Sequence, residues 1–130
     1  MLRYLSLEWI EALTAEVAKN DRLQELAGAT DFGVTQVVTD GPEGDVVYHL
    51  QVGDGRAEFG PGAAYPEHVR FNQSWDTAVG VATETLSAQQ AFITGRILLT
   101  GDQQKLFANQ DVFQALDQVF SVVRERTLYE

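Results

Sequence analysis

Three strand-like segments follow one another in the first half of the chain, and this arrangement constrains the fold more than any other feature. Period-two apolar alternation predicts strands at Phe32–Thr39, Asp45–Val52 and Arg56–Phe59. Only the tight turns at Asp40–Gly44 and Gly53–Gly55 separate them. Parallel neighbours need a crossover connection, usually a helix, and none is present between these strands. The sequence therefore disfavours a parallel α/β fold.

Helical signals surround these strands and predict the remaining elements. Caps and apolar periodicity predict helices beginning at Ser6, Asp76, Ser87, Asp102 and Asp111, a short helical turn ending at Gly28, and two more strands at His68–Trp75 and Ile97–Leu99. The expected architecture is an α+β fold, with a five-stranded, mostly antiparallel sheet covered on one face by helices. A chain of 130 residues is expected to form one domain, residues 1–130.

The net charge of −10 excludes several classes of partner. Nine Lys and Arg residues against nineteen Asp and Glu residues do not supply the clustered cations that nucleic acid binding requires. The same sign of charge opposes docking on anionic lipid surfaces. No apolar run in the sequence is long enough to span a bilayer. We expect no nucleic acid partner and no stable membrane anchoring.

From the residues at its two ends we expect no targeting signal. Acidic residues and Trp9 occupy the N-terminal region, where a signal peptide would be purely apolar. The final residues, Leu128–Glu130, do not match the small-basic-Leu peroxisomal address. The absence of Cys excludes disulfides and thiolate metal sites. A cytoplasmic protein is the simplest expectation.

The two His residues and the glycine-rich turns provide no catalytic or metal motif. His49 and His68 are nineteen residues apart and lack the spacing of a zinc-binding helix. The turns Gly53–Gly55 and Gly60–Gly62 do not match a dinucleotide-binding loop, which requires a strand before it and a helix after it. No G-x-S-x-G elbow is present. The sequence predicts no metal and no cofactor.

A paired-carboxylate site is the remaining catalytic candidate. Asp31, Asp45 and Asp54 could each approach a cavity, and an apolar cavity would raise a carboxyl pKa into the range useful for proton abstraction. All three, however, occupy turn or strand-edge positions, where Asp is favoured because it forms local hydrogen bonds. The sequence therefore predicts no catalytic residue.

The region from Asp76 to Asn109 favours an internal cavity. It contains three short helical pieces and one strand, interrupted at Leu86–Ser87, Gly95 and Gly101. Small domains normally fill their interiors at close to crystal density. Short, jointed helices can part at a modest cost in stability. The sequence therefore permits an apolar pocket between these pieces and the sheet.

One segment of this region, Ser87–Lys105 (SAQQAFITGRILLTGDQQK), has a recognisable order of elements. Ser87 and Gln90 form a capping box, Gly95 suits a left-handed helix end, and Asp102 caps a new helix after the strand. This order, from about Thr77 to Phe113, resembles the sterol carrier protein type-two family of lipid-binding domains, in its stand-alone bacterial form.

The resemblance implies a hydrophobic tunnel between sheet and helices that binds sterols, fatty acids or fatty acyl-CoAs, with no cofactor and no catalytic residue. Polar groups would hold the head group, since a few placed polar atoms orient a ligand in such pockets. Carried over to this sequence, the tunnel residues are Phe71, Trp75, Ile97 and Leu99 on the wall, Phe92, Leu106, Phe107, Phe113, Leu116 and Phe120 on the roof, and Gln73 and Gln90 at the head group.

The sequence thus predicts a non-catalytic carrier of an elongated hydrophobic ligand: a fatty acid, a fatty acyl-CoA, a sterol or an isoprenoid. Two alternatives remain open. The first is an interaction module with a filled interior, whose apolar surface forms a homodimer or contacts a partner. The second is an enzyme, or an accessory domain of a lipid-metabolising enzyme, that uses the same pocket. An enzyme would need a titratable group there, such as Tyr48 or Asp31.

Overall fold

The computed structural model describes residues 1–129 and contains the five-stranded sheet and the covering helices that the sequence predicts. In chain order the elements are β1 (Leu2–Arg3), α1 (Leu7–Lys19), α2 (Asp21–Ala27), β2 (Phe32–Gly41), β3 (Gly44–Gly53), β4 (Arg56–Pro61), β5 (Val69–Ser74), α3 (Trp75–Ala82), α4 (Ala88–Ile93), β6 (Ile97–Gly101), α5 (Gln103–Ala108), α6 (Gln110–Arg124) and β7 (Thr127–Leu128).

The main sheet has the strand order β4-β3-β2-β5-β6 and is mostly antiparallel, as predicted. The exception is the pairing of β2 with β5, which is parallel. The loop between β4 and β5 makes this parallel pairing possible, because it carries the chain across the sheet. It passes over Thr35 on the way. The Thr35 hydroxyl is fully buried there and accepts a hydrogen bond from the Ala64 amide at 2.9 Å. The loop ends at His68, whose Nδ1 accepts a hydrogen bond from the Gly33 amide at 2.8 Å.

The chain ends form a second, two-stranded sheet that the sequence did not predict. Strands β1 and β7 pair in parallel, with Leu2 opposite Thr127. Strands of two residues show no measurable alternation, so no local pattern could indicate them. Their pairing brings Tyr4 beside Tyr129, with ring centroids 4.8 Å apart.

The core lies between one face of the main sheet and the helices packed on it. We call this face the covered face; on β2 it carries Phe32, Val34 and Val38, all of which are buried. The longest helix, α6, contributes the stripe that periodicity predicts, including the fully buried Val123. Burial of such apolar side chains is the main favourable contribution to folding. Among the described residues, none of the helices is both long and apolar enough to cross a membrane.

Two predicted helix starts are wrong, and both errors have a local cause. Helix α3 begins at Trp75, because the Ser74 hydroxyl accepts the Thr77 amide hydrogen bond at 3.3 Å and so caps the helix in place of Asp76. Strand β5 therefore ends at Ser74, and Trp75 does not continue its alternation. Helix α6 begins one residue before Asp111, whose carboxylate instead lies in the first turn, where the helix dipole favours it.

The predicted boundaries within the segment Ser87–Lys105 are confirmed. The Gln90 amide donates to the Ser87 hydroxyl at 3.3 Å, and the Lys105 amide donates to the Asp102 carboxylate at 3.0 Å. Gly95 adopts a φ of 80°, the left-handed conformation that ends α4.

Candidate ligand-binding pocket

A pocket lies between the covered face of the sheet and helices α3 and α6. Its volume is about 460 Å³, within the range of roughly 300–1,000 Å³ typical of small-molecule sites. The exposed residues Gln114 and Asp117 mark its mouth. The lining residues are Tyr4, Trp9, Gln36, Tyr48, Gln73, Ala78, Val81, Ala82, Phe113, Gln114, Leu116, Asp117, Phe120, Arg124 and Tyr129.

The pocket is lined by small side chains on α3 and by large ones on α6. Helix α3 contributes Ala78, Val81 and Ala82, and α6 contributes Phe113 and Phe120 among others. Phe120 also packs against Trp9 of α1, with the two rings stacked at a centroid distance of 6.0 Å. The space left between the helices is lined mainly by carbon, which suits an apolar ligand.

The floor of the pocket carries a polar stripe, which we define as Tyr48, Gln36 and Gln73. They lie on the neighbouring strands β3, β2 and β5, and Gln36 is the cross-strand partner of Tyr48. The Gln73 side-chain amide donates to the Gln36 carbonyl oxygen at 3.2 Å. Burial raises the pKa of the Tyr48 hydroxyl well above its usual value of 10.0, so the group stays protonated at neutral pH.

Aromatic side chains from the chain ends close one side of the pocket. Tyr4 contacts Trp9 edge to face at 5.0 Å and packs against Tyr129 at 4.8 Å. Burial raises the pKa of the Tyr4 hydroxyl well above its usual value, and proximity to Tyr48 and Tyr129 raises it further. The Tyr4 hydroxyl is therefore neutral at neutral pH.

Charged groups lie at the mouth rather than on the floor. Arg124, near the end of α6, donates to the Glu84 carboxylate at 3.2 Å and connects α6 to the turn after α3. Asp117 lies on the same helix and also lines the pocket. Among the described residues, Arg124 is the only cation in the lining.

The structure brings together four of the residues that the sequence proposed as ligand contacts. Gln73, Phe113, Leu116 and Phe120 all line this pocket. Phe71 lies next to it, with its ring 6.0 Å from that of Phe113. Whether these residues contact a ligand stays a prediction.

The other eight proposed contacts include Phe71, which lies just outside the lining, and seven that lie elsewhere. Ile97 is buried and Leu99 half-buried on β6, and Leu106 packs at the margin of the core. Trp75 packs against Tyr4 with ring centroids 5.4 Å apart and lines a separate small cleft. Three more are exposed: Gln90, Phe92 at 48% and Phe107 at 66%.

Sequence reasoning missed several lining residues, and for one of them a signal was present. Gln36 interrupts the buried run Phe32, Val34 and Val38 on β2, and a polar residue at an inward position indicates a polar contact in the interior. Tyr4 and Tyr129 could not be found in this way, because they reach the pocket through the pairing of the chain ends.

The candidate carboxylates Asp31, Asp45 and Asp54 lie outside the pocket lining, whereas Tyr48 is part of it. The Asp45 carboxylate accepts a hydrogen bond from the Asp40 amide at 3.2 Å, and Asp54 occupies the β3–β4 turn with a φ of 52°. Residues 1–129 contain no group of three or more His, Cys, Asp or Glu side chains placed to hold a metal ion.

Comparisons with known proteins identify the fold. No family model matches the chain, and no curated protein matches it by sequence. A crystal structure of sterol carrier protein 2 matches with a TM-score of 0.61 and 19% identity, over 94% of this chain and 98% of that one. Palmitated SCP2L2 of Aedes aegypti matches with a TM-score of 0.55 and 20% identity, over 82% and 91% of the two chains. The chain therefore has the sterol carrier protein 2 fold.

The same fold also matches part of a larger protein. The sec-alkyl sulfatase PisA1 aligns with 78% of this chain at a TM-score of 0.53 and 23% identity, but the match covers only 15% of the sulfatase. The fold thus occurs both alone and as a minor part of a longer chain.

Proposed function

We propose that this chain, which has the sterol carrier protein 2 fold, binds and carries an elongated hydrophobic ligand in the pocket between the sheet and helices α3 and α6. The observation that carries the proposal is the apolar cavity of about 460 Å³ at this position. The fold supports it, since one structural neighbour is itself palmitated. The ligand classes we propose are a fatty acid, a fatty acyl-CoA and a sterol or isoprenoid.

Burial of the ligand's apolar part supplies the driving force. Each methylene removed from water contributes roughly 0.8 kcal/mol, so a twelve-carbon chain contributes up to about 10 kcal/mol before ordering costs. Micromolar binding requires about 8 kcal/mol. Apolar burial is therefore large enough to supply most of the affinity after these costs are subtracted, and because it is not directional we expect the pocket to accept chains of several lengths.

The lining supports carriage rather than catalysis. The polar groups deep in the pocket are Gln36, Gln73 and the protonated Tyr48, and none of them is an effective general base at neutral pH. The two ionised lining residues, Asp117 and Arg124, lie at the mouth. A ligand would be held without a group positioned to attack it.

A pair of matched substitutions tests the site. Val81 lines the pocket on α3, whereas Val122 is 57% exposed on α6 and does not line it. Val81→Trp should fill the cavity and abolish uptake of a fluorescent fatty acid analogue, while Val122→Trp should bind like the parent chain. Circular dichroism would check that both variants are folded. Equal uptake by folded Val81→Trp and by the parent would contradict this location.

A role as an accessory domain is the second candidate, and the match to a small part of the PisA1 sulfatase supports it. The two roles predict different rates of ligand transfer between vesicles. A carrier should speed the movement of a fluorescent fatty acid analogue from donor to acceptor phosphatidylcholine vesicles. An accessory domain should take up the analogue without changing that rate.

A further inference from the structure

We propose that the preferred ligand has an uncharged head group, and that this head group hydrogen-bonds to the polar stripe Tyr48, Gln36 and Gln73 on the floor of the pocket. This inference rests on the proposed function and names the chemical class of ligand. Candidate head groups are a hydroxyl, an ester carbonyl or an amide, as opposed to a carboxylate.

The stripe lies across three hydrogen-bonded strands, which fix its geometry. Gln36 is directly opposite Tyr48 in the β2–β3 ladder. On its other side Gln36 is opposite Phe71, so Gln73 reaches it diagonally and donates to its carbonyl oxygen at 3.2 Å. The remaining inward positions of β2 are apolar, so the stripe is a local polar interruption on an apolar face.

The hydrogen-bonding capacity of the stripe is only partly used. A glutamine amide offers two N–H donors and a carbonyl oxygen with two lone pairs. The contact between the glutamines leaves both donors of Gln36 and the carbonyl oxygen of Gln73 available. The Tyr48 hydroxyl has no hydrogen-bond partner among residues 1–129, although the residue is only 5% exposed.

The spare groups face the cavity. None of the described side chains has a nitrogen or oxygen that is both sealed from solvent and without a partner. The Tyr48 hydroxyl must therefore remain accessible, and the accessible space next to Tyr48 is the pocket that it lines. A ligand that reached the floor would meet one hydroxyl donor and amide donors and acceptors together.

The charges around the pocket favour a neutral head group over an anionic one. The stripe contains no cation, so a carboxylate placed on it would lose its hydration without gaining a counter-charge. Arg124 is the only cation in the described lining, and it is already paired with Glu84 at 3.2 Å. Asp117 adds a negative charge at the mouth. A hydroxyl or carbonyl avoids this cost and satisfies the stripe.

The test compares two ligands of equal chain length, 1-decanol and decanoate, by calorimetric titration at pH 7.4. We expect the parent chain to bind the alcohol more tightly. Gln36→Leu should weaken alcohol binding by about three- to tenfold, the effect of one hydrogen bond, and leave decanoate binding unchanged. Tyr48→Phe, which keeps the buried ring and removes only the hydroxyl, should also weaken binding of the alcohol and leave decanoate binding unchanged.

Gln118→Leu provides the matched control, because Gln118 is exposed on α6 and does not line the pocket. It should change neither affinity. The inference is overturned if the parent chain binds decanoate as tightly as decanol, or if Gln36→Leu weakens both ligands equally. If neither ligand binds, the proposed function fails as well, so the two failures are distinguishable.

Discussion

Arg124 on α6 and Glu84 in the turn after α3 form an ion pair across the mouth of the pocket, with Nη1 and Oε1 3.2 Å apart. The pair connects the two helical elements between which we expect a ligand to enter. The Glu84 side chain is 75% exposed, and pairs this exposed contribute little to stability, about 0–1 kcal/mol.

Glu84→Gln should therefore change the kinetics of binding more than the stability of the fold. We expect the free energy of unfolding to fall by less than about 1 kcal/mol. Stopped-flow fluorescence should show faster association and dissociation of a fatty acid analogue, because α3 is released from α6. Glu25→Gln, which removes the exposed Arg22–Glu25 pair on α2, is the control and should leave both rates unchanged. Slower or identical kinetics for Glu84→Gln would contradict a gating role.

Alkaline pH should destabilise the fold through Tyr48 and Tyr4. Burial raises the pKa of both hydroxyls above 10.0, whereas in the unfolded chain they ionise near that value. The unfolded state therefore loses protons first, so the stabilising contribution is complete below pH 10 and declines above it. Denaturant titrations between pH 9 and 12 should show a smaller decline for Tyr48→Phe. Tyr65→Phe, at a 93% exposed position, should keep the decline of the parent.

The cap of α3 distinguishes the structure from the sequence-based prediction. Ser74→Ala removes the hydroxyl that accepts the Thr77 amide and should cost about 1 kcal/mol of unfolding free energy. Asp76→Ala removes only a charge in the first turn and should cost roughly 0.3–1 kcal/mol, less at high salt. Urea denaturation at low and high salt measures both. A larger loss for Asp76→Ala would mean that Asp76 is the cap.

Alanine substitutions at two glycines with left-handed φ values distinguish the cost of backbone strain from the added cost of a steric clash. Gly101 ends β6 with a φ of 109°, and a Cβ there would collide with the carbonyl group of His68, the residue just before the neighbouring strand β5. Gly95 has a φ of 80°, but its Cβ position is open. Gly95→Ala should cost about 1 kcal/mol, and Gly101→Ala clearly more, because the β5–β6 pairing must shift. Equal losses in thermal denaturation would contradict this close approach.

Features with a local cause were predictable from the sequence. The strand positions follow from alternation, as at Val46, Tyr48, Leu50 and Val52, and the glycine at 95 follows from helix-end geometry. The error at Ser74 and Asp76 arose because both residues are good caps two positions apart, and only the extended backbone at Ser74 decides between them.

The pocket was less predictable, because it depends on contacts between distant segments. Tyr4 and Tyr129 reach it through the β1–β7 pairing, which has no local signal. Phe92 and Phe107 were expected inside, but each lies on a six-residue helix whose orientation is set by tertiary packing, and both are exposed. Phe113, Leu116 and Phe120 line the pocket in the structure, and the sequence could indicate them because α6 is long enough to define its own apolar stripe.

We propose that the cavity between the sheet and helices α3 and α6 holds an apolar ligand. Native mass spectrometry of the purified chain, followed by solvent extraction and mass analysis, tests this proposal most directly. We predict a bound species of lipid mass, or uptake of an added long-chain alcohol, in the parent chain and in Val122→Trp but not in folded Val81→Trp. A ligand-free mass that stays unchanged with added alcohols, fatty acids, acyl-CoAs and sterols would contradict the account.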